Sequence, residues 1–483
     1  MRQATMREEP AAPAVHGAAA EEDSLSLTQV QNLARYAARA AYEDLSPASR
    51  TQLPIHILDS LGCCIGALGA APIHACRQQV TDFGGTGPCA LIGGGGANPV
   101  YAAFWHTALV RYVDFMDNFL APTETCHTAD NFGGVLTAAE YVGASGRDLM
   151  LGVALAYTVQ SRFVDHANFM TRGFDHTAQL AFSVPAAAGR LLEMSEDQIA
   201  HGIAMAASSD ASFANIRAKP LSQWKGLASA QSTLGAMNAL FLARRGVQGP
   251  LAVIEGPNGI DNLLHLRVEI DWEHERYEGI VSSTIKKYNA QIHTQSAVHC
   301  MIELMRQQAF QADDVISIEA DVPQITFDFT GGGLYGSDRE KITTKEQADH
   351  SLPYLLAVAL LDGTVMPAQF LPDRINRTDV QRLLGKVVVR PDDQYTREYP
   401  THMPAKITVR LKNATVRTHT SQGFPGMPSQ PFTWQDAVDK FDQLVDGRLD
   451  NSLSDEIKHA VQLLETIHTR ELTGLLARVP YPG

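Results

Sequence analysis

The chain alternates between two hydrophobic periods, and the change from one to the other divides it. From about residue 28 to 275 apolar positions recur at helical spacing. Leu58, Leu61, Ile65 and Leu68 step by three and four and mark one buried helix face. Ser145 with Asp148, and Ser195 with Gln198, are capping-box pairs that open Ala-rich helices. The segments 100–120, 145–163, 177–193 and 226–245 are rich in Ala, Leu and Val and long enough for helices. Small residues let helices approach closely, so this part predicts a many-helix bundle.

Near residue 279 the period shortens. Val315 to Val322 alternates apolar with polar, as does Ile407 to Lys412, and Lys386 to Arg390 is a β-branched run. These predict strands of a sheet with one buried face. Helical stretches at 294–308, 345–362 and 377–385 lie between them, so 279–423 predicts a separate α+β unit. Gly423-Phe-Pro-Gly-Met-Pro428 punctuates the chain, and helical pattern resumes at 433–446 and 453–476. The expected fold is mostly α: a large helical domain from 28–278 and 424–483, with a smaller α+β lid domain inserted at 279–423.

Composition narrows the function. Hydrophobic residues make up 45% and charged residues 19% of 483, as in a compact globular protein. The net charge of −14 argues against a nucleic-acid binder, since duplex affinity comes mainly from Lys and Arg neutralising phosphates. A small anionic substrate sees only the local field and is not excluded. Six cysteines without C-x-x-C spacing point to buried or free thiols in a reducing, cytoplasmic setting. No apolar run reaches the ~18 residues of a membrane span. Residues 1–27 mix Ala and Pro with acids, lack the apolar core of a secretory signal, and read as a mobile tail.

The common catalytic motifs fail. Gly93 to Gly96 has neither a dinucleotide-binding context nor a following Lys-Ser/Thr, and reads as a turn. Glu273-His-Glu275 and Asp165-His166 lack H-E-x-x-H spacing, so no metal site is expected there. What remains is a set of polar residues in apolar surroundings. Asp114 and Asn118 are four apart and would project from one helix face. A Pro-containing loop leads to His127 and Asp130, and His176 precedes another helix. Lys219 and Lys225 stand in uncharged neighbourhoods, and Lys286-Lys287 is followed by His293. Taken singly, each also fits a helix cap, a satisfied core histidine or a solvated lysine.

Together these motifs resemble the MmgE/PrpD family of 2-methylcitrate dehydratases, cis-aconitate decarboxylases and iminodisuccinate epimerases. The resemblance rests on Ile57 to Cys64, Tyr112 to Asn118 with His127 and Asp130, and Gly173 to His176. It continues through Ala218 to Leu221, Ile285 to Ala297, Ala348 to Leu355 and Gly423 to Pro428. It implies a two-domain protein, usually a homodimer, whose interdomain cleft works without metal or organic cofactor. It also implies that Asp114, His127, His176, Lys219 and Lys286 carry the chemistry, with Asn118 where the family often has Thr.

On this reading the protein is a lyase of a small di- or tricarboxylate, most simply a 2-methylcitrate-like hydro-lyase. Lys219, Lys286 and Lys225 would neutralise carboxylates, and Asn118 would help hold the charge that develops. Asp114 and His127 would move the proton, and His176 would meet the leaving group or a carboxylate. His293 falls in the stretch most similar to the dehydratase branch. Decarboxylation of cis-aconitate, isomerisation or epimerisation would use the same residues, and a non-catalytic carboxylate-binding homologue is the reading from another class.

Overall fold

The computed structural model describes residues 27–218, 221–308, 310–333 and 342–482. Most of the expected N-terminal tail and Lys219 lie outside the described residues. The rest is mostly helical, with a small sheet. Both capping boxes form: Ser145 accepts from the Asp148 amide and Ser195 from the Gln198 amide, each with the reciprocal bond. The Leu58–Leu68 face is buried. Among the described residues no single helix is long and apolar enough to cross a membrane. All six cysteines are free and buried.

The apolar side chains gather in two main clusters. One joins residues from Val30 to Ile285 with residues from Phe432 to Val479. The helix Trp434–Val445 lies on the helix Pro47–Ala67 because Gly62 and Gly66 have no side chain to hold it off: a Cβ on either would stand 3.1 Å from Leu444. The second cluster runs from Tyr288 to Leu411. Its strands are β1 (Val315–Val322), β2 (Val387–Pro391), β3 (Ala405–Leu411) and β4 (Val416–Ser421), in the order β2-β1-β3-β4. β1 runs parallel to β2, with Ile318 opposite Val387, and antiparallel to β3, with Ala320 opposite Ile407. Helices Gln295–Gln307 and Leu352–Asp362 pack against it. The edge strand β4 was absent from the expected elements. Its residues alternate only between exposed and half-buried, so it carries no apolar period to read.

Three predicted helices are shorter than their apolar pattern. The stretch 100–120 is helical only over Pro99–Tyr112. The stretch 453–476 breaks at Leu463–His468 into two helices. The stretch 345–362 breaks at Asp349-His350-Ser351, because Ser351 caps a new helix by accepting from the Tyr354 amide and Pro353 favours its first turn.

The chain passes from the first cluster to the second at Lys286 and Lys287. That crossing is pinned. Ile285 donates its amide to the Gly426 carbonyl at 2.9 Å. Gly426 has φ 113°, and a Cβ there would fall 2.1 Å from the Ile285 oxygen, so only glycine fits. The Lys440 ammonium, paired with Asp59, donates to the carbonyls of Lys286 and Phe115 at 2.8 and 2.7 Å.

Candidate active site

Asp114 and Asn118 do not share a helix face. The helix ends at Tyr112, and Asp114 takes the left-handed conformation at φ 55°, which Asp tolerates better than most residues. That turn brings its carboxylate back to 3.0 Å from the Arg111 guanidinium. Beyond it Asn118 exchanges both backbone hydrogen bonds with Thr284, at 2.9 and 2.7 Å. A tight hairpin, Phe119–Leu120 with Thr125–Cys126, then delivers His127.

Five of the expected residues line one small cavity at the seam between the two clusters: Asp114, Asn118, His127, His176 and Lys286. Its wall also includes Arg217, Gln291, Phe329 and His350. Lys225 is buried behind Asp114. His293 sits below, its Nδ1 accepting from Gln291 at 2.8 Å and its Nε2 3.1 Å from the Tyr399 hydroxyl.

Asp114 is a hub for cations. One oxygen meets Arg111 and the Lys286 ammonium, both at 3.0 Å, and the other accepts from Lys225 at 2.8 Å. Lys286 also donates to the Asp114 carbonyl at 2.8 Å. Burial alone would raise the Asp114 carboxyl, but Arg111, Lys225 and Lys286 together hold it well below the usual carboxylate range. Lys286, fully buried, is pushed down to about 8 by desolvation, with Asp114 opposing.

Lys225 also bridges to the break at 349–351. Its ammonium lies 3.5 Å from Asp349 and 3.1 Å from His350 Nδ1, while Lys345 pairs with the other Asp349 oxygen at 3.0 Å. Asp114, Asp349 and His350 place ligand atoms within 4.8 Å of one another, a donor set able to hold a metal ion. The Lys225 ammonium lies among those same atoms, at 2.8, 3.5 and 3.1 Å, and supplies a positive charge there.

The histidines are fixed by their partners. The Asn118 amide nitrogen donates to the Cys126 carbonyl at 3.3 Å and to His127 Nδ1 at 2.8 Å. A carbonyl can only accept, so the amide orientation is set, and neutral His127 carries its proton on Nε2, 3.8 Å from Asp114. His176 Nε2 accepts from Arg217 at 3.3 Å. Burial pushes His127 well below the usual histidine value, helped by Arg111, and takes His176 down to about 3. Both rings are therefore neutral at pH 7. Arg217 grips Asp175 through Nε and Nη2 at 2.6 and 3.0 Å, leaving Nη1 without a partner among the described residues.

Sequence reasoning missed Arg111, Arg217, Asp349 and His350 as site residues. Arg111 carried a faint signal, a lone charge inside the apolar run Thr107 to Val113. Asp349-His350 carried one in the Ser351-Leu-Pro353 helix start that follows it.

The sequence model of the MmgE/PrpD N-terminal domain matches residues 31–273, and that of the C-terminal domain matches residues 288–466. The chain is similar to 2-methylcitrate dehydratase of Cupriavidus necator, 26% identical over 399 residues that cover 76% of this chain and 80% of the relative. It is similar to cis-aconitate decarboxylase of Mus musculus, 24% identical over 450 residues, or 88% and 87% of the two chains. An alkylcitrate dehydratase of a fungal species is 23% identical over 471 residues, or 89% and 90%.

Proposed function

The chain belongs to the MmgE/PrpD family, and from that premise we propose that it is a lyase of small di- or tricarboxylates that eliminates water in the manner of a 2-methylcitrate dehydratase. The observation that carries this reading is a buried cavity to which several polar groups bring hydrogen-bond donors. Lys286, the Arg217 Nη1, which has no partner among the described residues, and the Nε2–H of His127 are all donors, brought together among buried side chains. Such an array suits substrate carboxylates, and it suits still better the extra charge of an aci-carboxylate formed by removing the α-proton.

The roles shift from those expected of the residues singly. Asp114, gripped by three cations, serves to hold Lys286 and Lys225 in place rather than to accept a proton. His127 serves as a neutral hydrogen-bond donor to developing charge. Lys286 is protonated at pH 7 yet, at about 8, acidic enough to give its proton to a departing hydroxide. His176 accepts from Arg217 and helps aim that guanidinium at a substrate carboxylate. The segment bearing Asp349 and His350 belongs to the 279–423 unit, which on this reading opens to admit substrate and closes to complete the site.

A decarboxylase reading stands second. It is favoured by the mouse cis-aconitate decarboxylase, whose match covers more of this chain than that of the bacterial dehydratase does. The purified protein incubated with 2-methylcitrate, citrate, cis-aconitate and iminodisuccinate distinguishes them. Alkene absorbance appearing from 2-methylcitrate is the expected result, CO₂ release from cis-aconitate would favour the decarboxylase, and binding without turnover would overturn both.

A further inference from the structure

Proton abstraction next to a carboxylate needs a lone pair facing the cavity, and most polar groups of the site have none to give. Asp114 is committed to Arg111, Lys225 and Lys286. His127 points its protonated Nε2 inward, because Nδ1 accepts from Asn118. His176 spends its Nε2 lone pair on Arg217 and turns Nδ1 toward Asp175 at 3.6 Å. Gln291 accepts from the His293 amide through its oxygen, so its nitrogen donates to His293 Nδ1 and leaves the proton on Nε2, against Tyr399.

His350 differs. Its Nδ1 lies 2.5 Å from Asp349 Oδ1, a separation at which two lone pairs would repel, so Nδ1 carries the proton and donates to the carboxylate. The Lys225 ammonium at 3.1 Å cannot donate to a protonated nitrogen, and its protons go to Asp114 and Asp349 instead. With one proton on a neutral ring, Nε2 keeps its lone pair, and no described residue hydrogen-bonds it. His350 lines the cavity with Lys286 and His127. Asp349 is itself held as a carboxylate between Lys225 and Lys345, so it can orient the imidazole and stabilise its cation.

We infer that His350 is the general base of this site, that Asp349 is its positioning residue, and that Lys225 ties both to Asp114 across the seam. This rests on the lyase reading above. In the dehydration, Nε2 takes the α-proton and the C–H electron pair becomes the C=C bond. The C–O bond breaks with its own pair, and the departing hydroxide takes a proton from Lys286 and leaves as water. Proton return from His350 to Lys286 restores the starting state. An Asp–His pair of this kind fixes the tautomer, and replacing the carboxylate by an amide lets it donate to Nδ1 and puts the proton on the wrong nitrogen.

The test uses the full chain and whichever of the four acids the wild-type protein turns over. H350Q and D349N are each expected to lose kcat by ~10²–10⁴-fold with KM within about threefold. Incorporation of solvent deuterium at the α-carbon is expected to fall in parallel. Free imidazole is expected to restore part of the rate to H350A, which a purely structural histidine would not allow. D349N decides the question if the His350 variants do not fold. A folded variant of either position that keeps kcat within tenfold of wild type, or that loses only KM, would overturn the assignment. Wild-type protein that turns over none of the acids would instead overturn the lyase reading beneath it.

Discussion

Asp114 and Asp117 stand three residues apart, both buried, and their surroundings could hardly differ more. Asp117 is satisfied entirely from within. One oxygen accepts from the Thr128 hydroxyl and the Ala129 amide, both at 2.8 Å. The other accepts from the Tyr157 hydroxyl at 2.8 Å and lies 2.6 Å from His56 Nδ1. No partner of Asp117 faces the cavity, and the network fixes the loop that presents His127. Asp114 is met by three cations, of which Lys286 lines the cavity directly and Lys225 reaches its wall at His350. Burial and polarity are common to both clusters. What separates a scaffold from a site is whether hydrogen-bonding capacity is left over and where it points.

Four perturbations separate the two aspartates and their surroundings. The largest effect belongs to the cavity side: His127→Ala is expected to lower kcat by ~10²–10³-fold, the usual cost of a lost donor to developing charge. Its melting temperature should stay within a few degrees of wild type. Asp117→Ala should do the reverse, costing about 3–5 kcal/mol in urea unfolding because it leaves buried partners unpaired, while activity per folded molecule changes far less. If Asp117→Ala left stability intact and abolished turnover, the division between the clusters would be wrong.

Acid should act through stability on the buried histidines, inside the cavity and outside it. Burial holds His106, His176 and His293 down to about 3 and His350 to about 4, so the folded protein keeps them neutral where the unfolded chain would be protonated. Their contribution is present above the ordinary histidine value and is lost as pH falls from ~6.5 toward 3–4. Glu124 and Asp130, pushed up to about 8 and about 7 by burial, act with the opposite sign and offset part of this loss. The thermal midpoint is expected to fall by at least ~10 °C between pH 7 and pH 4.5, and a flat profile would contradict the neutral histidines. The smallest effect is Arg217→Lys. It keeps the charge but loses the fork on Asp175, and should raise KM about tenfold with little change in kcat.

Much of this was legible from residues alone. Helical and strand periods gave the element types, because burial of one face repeats at 3.6 or 2 residues whatever the fold around it. Most of the site was legible too: Asp114, His127, His176 and Lys286 stood out as polar residues in apolar stretches, and they do converge on one cavity. Their relation to one another was not legible. Periodicity carried a helix through Asp114 and another through Asp349, since apolar residues continue past both, whereas each helix ends there. A left-handed turn at Asp114 and a Ser cap at Ser351 terminate them, and these local events leave no trace in a hydrophobic period.

What the sequence offered by itself is therefore the inventory: a mostly helical chain, a set of candidate polar residues, and a resemblance to its family. Only the tertiary structure decided which proton sits on which nitrogen. Asn118 meets His127 and Arg217 meets His176 across 9 and 41 residues of chain. A tautomer is set by the partner that packing brings to a ring, and no pattern along the chain records that partner.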